Sequence, residues 1–255
     1  MVAWAPNGRV FTANIGSGST SVIGPDGEGG FKLLAKVPTG AEAEGVCVTP
    51  DGRWTICVRE AHAEGDEARN EVVIVPTDGS SLPRTLVAGS DFYAFPRLHP
   101  DGTRLTWVEW SHPNMPWDGT ELWVADIDPE REIAHATRVA GGPEESIFQP
   151  RWSPRGDLHF VSDRTGWWNL YVVHAGEASP LCPREAEFGG PQWVFGLSRY
   201  AFLADGTLIC SFTRDGCDRL GSLRPGSSTL KPFETPFTSH LGGGSVQSDP
   251  AGQVY

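Results

Sequence analysis

The residues best suited to chemistry lie in three short stretches. HPNMPWDGTELW, from His112 to Trp123, sets a histidine, an aspartate and two tryptophans among prolines, two residues after Trp110. Glu144 and Glu145 are adjacent carboxylates, able to accept charge-assisted hydrogen bonds from a cation or simply to sit in water and cap a turn. DRTGWWN, from Asp163 to Asn169, places Arg164 near Trp167 and Trp168. Tryptophans such as Trp110, Trp117, Trp167 and Trp168 either fill joints between packed elements or meet a ligand. A hydrolytic nucleophile is not supplied: a nucleophile elbow requires Gly-x-Ser-x-Gly at a strand-to-helix turn, and the nearest approaches, GSGST from Gly16 and GGGSV from Gly242, both lack it.

Other chemistries are excluded by type and spacing. The histidines at 62, 99, 112, 135, 159, 174 and 240 lack metal-ligand spacing, so no metal and no cofactor is expected. The five cysteines, Cys47, Cys57, Cys182, Cys210 and Cys217, are odd in number and without a zinc-type pair, and they read as reduced thiols. Pro-Asp-Gly turns lack the run of oxygen ligands and the distal Glu of a calcium loop. A net charge of −12 repels nucleic acid and anionic membranes and leaves neutral or cationic ligands. The start, Met1-Val-Ala-Trp-Ala-Pro6, has no basic region or apolar core of a secretory signal, and no apolar run reaches membrane-spanning length. The expected location is cytoplasmic.

The elements that must position these residues show in the turns. WAPNG, VTPDG, LHPDG, WSPRG, LADG and DPAG end on Gly8, Gly52, Gly102, Gly156, Gly206 and Gly252, at intervals of 44, 50, 54, 50 and 46 residues. Each sets a proline, or Leu203 in the fifth case, shortly before a glycine able to take positive φ. Each is followed by a strand-like run: 9–13, 54–58, 105–108, 158–161, 208–212 and 254–255. A second strand pair follows, clearest in Glu121–Asp126 with Thr137–Ala140, and echoed by Glu71–Val75 with Thr85–Val87 and by Asn169–Val173. Four strands, A to D, in roughly 50 residues are the period of a β-propeller blade. The fold class expected is therefore all-β, a propeller of about five complete four-stranded blades and a sixth that stops at Tyr255. A propeller that does not complete its last blade leaves an open edge, so residues 1–255 read as a single propeller domain that is truncated.

Four segments add a family resemblance. SDFYAFPRLHPDG from Ser90, HPNMPWDGTELWVAD from His112, AGGPEESIFQPRWSP from Ala140 and VSDRTGWWNLY from Val161 together resemble the non-catalytic propeller of the prolyl oligopeptidase family of serine peptidases, nearest its acylaminoacyl-peptidase and dipeptidyl-aminopeptidase branches. The likeness runs from about Val58 to Ser239. It implies a propeller that precedes an α/β-hydrolase domain carrying Ser, Asp and His, and that admits only short or unfolded peptides. That hydrolase domain, absent from these residues, and short peptides are the implied partners. Related dipeptidyl peptidases hold the substrate's α-ammonium on acidic residues of a propeller loop and a backbone carbonyl on a basic residue of a B-to-C loop. By that resemblance the substrate-binding candidates are Glu144, Glu145, Trp110, His112, Trp117, Arg164, Trp167 and Trp168, although the spacing from Glu145 to the following Trp-Ser-Pro is shorter than in those enzymes. Asp163 and Arg164 also read as an internal ion pair. The B-to-C position of other blades is expected at Arg59–Asp66 and Arg214–Arg219. Two other classes remain open: a free-standing propeller presenting an aromatic loop face to a protein partner, and a metal-dependent lactonase-like propeller.

Overall fold

A computed structural model of the chain describes residues 2–5, 7–14, 17–39, 44–62, 67–194, 196–239, 246–249 and 251–254. Pro6, residues 63–66 of the second B-to-C loop, His240, Tyr255, and Gly16 and Gly242 with the start of each glycine-rich run lie outside them. The regular elements among the described residues are all strands, in five four-stranded sheets that follow chain order. The first sheet holds β1 (Val2–Trp4), β2 (Val10–Asn14), β3 (Ser19–Pro25) and β4 (Phe31–Pro38). The second holds β5 (Glu44–Val48), β6 (Trp54–Ala61), β7 (Arg69–Pro76) and β8 (Arg84–Val87). The third holds β9 (Phe92–Leu98), β10 (Arg104–Trp110), β11 (Glu121–Ile127) and β12 (Ile133–Gly141). The fourth holds β13 (Ile147–Trp152), β14 (Leu158–Ser162), β15 (Asn169–His174) and β16 (Glu177–Pro180). The fifth holds β17 (Tyr200–Phe202), β18 (Leu208–Arg214), β19 (Cys217–Leu223) and β20 (Lys231–Pro232). This is the A-to-D order expected from the repeat. Past the fifth sheet the described residues hold one bridge, Ser248 to Val254.

The chain divides into two compact units, residues 1–112 with 124–137, and 113–123 with 138–255. In the first unit the core is built between sheets: Phe11, Val22 and Val37 of the first sheet cluster with Val75 of β7. In the second, Phe160 and Tyr171 stack at 5.5 Å, and Phe188 stacks on Phe212 at 5.2 Å. Inner strands are buried on both faces, as in Thr55–Val58 of β6 and Leu105–Val108 of β10, whereas β12 is largely exposed. Continuous burial of this kind follows when a sheet has neighbours on both sides.

All six turn glycines take positive φ, from 68° at Gly52 to 87° at Gly156 and Gly206. Every turn closes the same way. The glycine N–H donates to the carbonyl three residues back, as in Gly52 to Thr49 at 2.8 Å and Gly206 to Leu203 at 2.9 Å. Side chains secure the bend further: Asp51, Asp101 and Asp205 each accept the N–H two residues on. The glycines are also where successive turns nest. A Cβ on Gly52 would lie 2.1 Å from Asn7 Nδ2, one on Gly102 would lie 3.2 Å from Pro50 Cδ, and one on Gly252 would lie 2.4 Å from Ala204 N. Each neighbour belongs to the preceding turn, so the repeat glycine answers to packing as well as to φ.

A second repeated device escapes the sequence reading. The A strands bulge: β5 at Gly45, β9 at Phe95 and β13 at Gln149, each with positive φ and a register shift against the following strand. Pro96 and Pro150 follow the last two, where a residue without N–H leaves no ladder bond unmade. The cost of Gln149 in a left-handed conformation is offset by its buried amide. Gln149 Nε2 donates to Ser198 Oγ at 2.8 Å and to Tyr200 O at 2.7 Å, while its Oε1 accepts from Arg199 N at 2.6 Å. Its own carbonyl takes the Tyr200 hydroxyl at 2.7 Å, tying β13 to β17.

Two outcomes follow for solution measurement. Gly102→Ala should lose more stability than Gly27→Ala, whose Cβ would enter open space at φ +89°. The second substitution isolates the left-handed strain of about 1–2 kcal/mol, and equal shifts in denaturant midpoint would show that nesting is unimportant. Asp101 is held down to about 2 by hydrogen bonds from Thr103 and then by His99. Its folded value lies below its unfolded one, so its contribution is present above about pH 4 and is lost as pH falls toward 2. The stability gap between wild type and Asp101→Asn should therefore close over that window in acid titrations.

Candidate functional site

In each sheet the entry to the first strand and the connection between the second and third strands lie at one end. Phe92 pairs with Trp110 in the third sheet; in the fourth, Ile147 pairs with Ser162, which pairs with Asn169. In the first unit this end holds Trp110 and His112. His112 donates its backbone N–H to Asp91 Oδ2 at 2.9 Å, and its Nδ1 lies 3.1 Å from the same oxygen. Asp91 N–H donates to Ser111 Oγ at 3.1 Å. Phe92 stacks on Trp110 at 5.3 Å and meets His112 edge-on at 5.0 Å. The Asp91 carboxyl is held below the usual carboxylate range, first by the His112 N–H. Trp110 and His112 thus fasten the outgoing loop to the incoming strand.

The second unit repeats the arrangement with other residue types. Glu145 Oε1 accepts Ser162 Oγ at 2.7 Å, Arg164 Nε at 2.9 Å and Arg164 Nη2 at 2.7 Å. The guanidinium carbon of Arg164 also stands 4.8 Å over the Tyr171 ring. Asp163 accepts Ser146 N–H at 2.8 Å instead of pairing with Arg164. The expected Asp163–Arg164 ion pair is therefore corrected: the Asp163–Gly166 turn faces its carboxylate to the strand entry and sends Arg164 to Glu145. Burial pushes the Asp163 carboxyl up, with the Glu145 charge adding to it. In the fifth sheet the signs are exchanged. Arg199, its side chain 8% exposed, donates to Thr213 Oγ1 at 2.7 Å and lies 3.6 Å from Asp218.

The loop opened by His112 continues across Gly142–Ile147. Asn114 Nδ2 donates to Pro143 O at 2.9 Å, Ser146 Oγ to Pro116 O at 2.6 Å, and Thr120 N to Glu145 O at 3.0 Å. Gly119 must be glycine, since a Cβ there would lie 2.4 Å from Pro143 O. This lays Trp117 against Trp193, with ring centroids 4.3 Å apart. Trp168 packs edge-on against Phe148 at 6.1 Å and donates its backbone N–H to Glu187 Oε2 at 2.8 Å, while Trp167 stays exposed. Glu144 is exposed in the Gly142–Glu145 turn.

Of the eight candidates, then, Trp117, Glu144, Glu145, Arg164, Trp167 and Trp168 belong to the second unit, and Trp110 and His112 to the first. Two expected B-to-C loops are shorter than the sequence suggested. Arg59–Ala61 complete β6, which pairs with β7 through Ala61 and Arg69. In the fifth sheet Asp215 and Gly216, both at positive φ, form a two-residue hairpin turn. Asp91, Glu187 and Trp193 were missed. The length of the β16-to-β17 connection and its apolar Trp-Val-Phe amid prolines and glycines pointed to Trp193; nothing local pointed to Asp91. Among the described residues no group of three or more His, Cys, Asp and Glu could hold a metal. The cysteines are free, and burial pushes Cys47 up to about 11 and Cys57 up to about 12, far from a reactive thiolate. Among the described residues no helix is long and apolar enough to cross a membrane.

No protein-family model matches the chain, and no curated protein matches it. Solved structures do. A puromycin-hydrolysing peptidase of Mycobacterium tuberculosis is 34% identical over 90% of this chain, with a TM-score of 0.78. A puromycin hydrolase mutant complexed with PGG is 33% identical over 93% of the chain, with a TM-score of 0.81. Prolyl oligopeptidase B from Galerina marginata, at 11% identity and a TM-score of 0.65, shares the fold. The chain spans 37% and 38% of the length of the first two.

The clasp at the strand entry is open to a double-mutant cycle. Glu145→Gln and Arg164→Ala should show a coupling energy of about 1 kcal/mol in urea unfolding, the upper range for partly exposed pairs. Zero coupling would mean that the pair does not hold the loop.

Proposed function

We propose, because this chain belongs to the prolyl oligopeptidase family, that it is the propeller region of a serine peptidase and that it selects the peptides reaching a hydrolase domain outside these residues. The carrying observation is the identity it shares, over nearly all its length, with puromycin-hydrolysing peptidases much longer than itself. Each four-stranded sheet is then read as a propeller blade. Peptide hydrolysis would fall to a Ser–His–Asp triad in the hydrolase domain.

Within this reading the candidate residues divide by what already occupies them. Glu145 is matched by Arg164, and His112 by Asp91, so these four shape the loop face. Glu144 is exposed and carries the acidic role: a substrate α-ammonium donating to it would gain about 1.5–3 kcal/mol. Trp167 supplies exposed apolar surface in the same unit.

Two assays test the proposal. The isolated 255-residue chain should not hydrolyse aminoacyl amides, and hydrolysis by it would end the non-catalytic reading. The whole protein that carries the chain should cleave short peptides with a kcat/KM that falls as substrates lengthen or fold. Equal rates on short and on folded substrates would end the gating role.

A further inference from the structure

The outer edge of the first sheet carries an apolar patch that its own sheet does not cover. β4 is the last strand of that sheet, and among the described residues no other strand pairs with its free edge. Phe31, Leu33 and Leu34 are 54%, 60% and 42% exposed, so that three large apolar side chains face water within one short run. The last strands of the next three sheets are finished differently. Arg84 of β8 pairs with Glu132, Arg138 and His135 of β12 pair with Glu121 and Asp126, and β16 reads Glu-Ala-Ser-Pro without a large side chain. Edges of that polar kind stay in water, whereas an apolar edge invites another strand.

Register fixes which side chains an added strand would meet. Phe31, Leu33 and Lys36 stand opposite Pro25, Ile23 and Ser21 of β3 and so share one face, while Lys32 stands opposite Gly24 on the other. Leu34 is the extra residue of a bulge, and it lies over Gly24, where a Cβ would be 2.5 Å from its Cδ1. Each face thus offers leucine together with lysine.

The lysines narrow the partner. Lys32 and Lys36 are exposed, and among the described residues neither has an acidic partner. Asp26, in the turn before the strand, uses its carboxylate on the N–H groups of Glu28 and Gly30, at 2.8 and 2.9 Å. Two unpaired cations on a chain of net charge −12 mark a place where an added carboxylate is attracted. Lysines and a bulge also keep an edge from pairing indiscriminately. A second β4 brought edge to edge would add two more lysines and no carboxylate, so the same devices turn away a copy of this edge while leaving an acidic strand acceptable.

We propose that the outer edge of β4 is a docking site for an extended segment of another polypeptide, apolar at its centre and acidic at its ends, which joins the first sheet as an added strand. Backbone hydrogen bonds hold the segment, Phe31, Leu33 and Leu34 receive its apolar side chains, and Lys32 and Lys36 take its carboxylates. This surface belongs to the first unit, and it needs neither the candidate loops nor a hydrolase domain.

The 255-residue chain is titrated by calorimetry at fixed ionic strength with three end-blocked peptides. The first is Glu-Glu-Val-Ile-Val-Glu-Glu, whose adjacent glutamates put a carboxylate on each face at both ends. The second replaces glutamate by lysine, and the third is the first peptide N-methylated at its three central residues, which removes strand hydrogen bonds. The glutamate peptide should bind about tenfold more tightly than either other, and it should slow backbone amide exchange across Phe31–Pro38. Leu33→Ser should weaken it by about tenfold with an unchanged melting curve, because Leu33 is exposed. Lys32→Glu combined with Lys36→Glu should invert the preference in favour of the lysine peptide. No binding, equal affinity for the glutamate and lysine peptides, undiminished binding of the N-methylated peptide, or an unchanged Kd in Leu33→Ser overturns the docking site. A concentration-dependent dimer in sedimentation that Leu33→Ser abolishes would overturn the acidic partner and give the edge to a second copy of the chain.

Discussion

The repeat glycine of each A-to-B turn is the point on which the sheets depend. It must reach positive φ to reverse the chain, and at Gly52, Gly102 and Gly252 a Cβ would also press on the turn before it, on Asn7, Pro50 and Ala204. One missing Cβ therefore fixes both the hairpin and the spacing of consecutive sheets. Close spacing in turn buries β6 and β10 on both faces and leaves β12 outside. Ala204, standing where other turns have proline, is tolerated because the hydrogen bond from Gly206 to the Leu203 carbonyl is the same as elsewhere.

At the other end of each sheet the position is kept while the residue types change. Asp91 with His112, Glu145 with Arg164, and Arg199 with Thr213 and Asp218 all join the entry of a first strand to the start or end of the second-to-third connection. A carboxylate serves on the entry side in the third and fourth sheets and a guanidinium in the fifth. Residue types that suggest a binding site are in these cases structural partners, and a search by type alone gathers them together with groups left facing water, such as Glu144.

The hairpin repeat was legible because it rests on local chemistry. Positive φ and the Asx hydrogen bonds of Asp51, Asp101 and Asp205 are settled within a few residues, so the sequence carries them openly. The bulges were not legible, although Phe95-Pro96 and Gln149-Pro150 mark two of them. Left-handed Gln is uncommon enough that only the partners of Gln149, 49 to 51 residues away in sequence, explain it. The partner of Arg164 is likewise distant: adjacency suggested Asp163, but a tight turn sends adjacent side chains in different directions. The candidate stretches were found, while their division between fastening and exposure needed coordinates.

The contrast between the two ends of each sheet also bears on where selectivity can reside. A-to-B turns that nest cannot change length without disturbing the next sheet, and they are uniform. Second-to-third connections range from the two-residue Asp215-Gly216 hairpin to the loop between Trp110 and Glu121, and the β16-to-β17 connection is longer again. Length can vary there because the clasps have already fixed the strands, so the loops beyond them are released from holding the fold. Trp117 and Trp193 sit on two of these excursions in the second unit, where half-buried Trp117 lies against Trp193, which stays exposed.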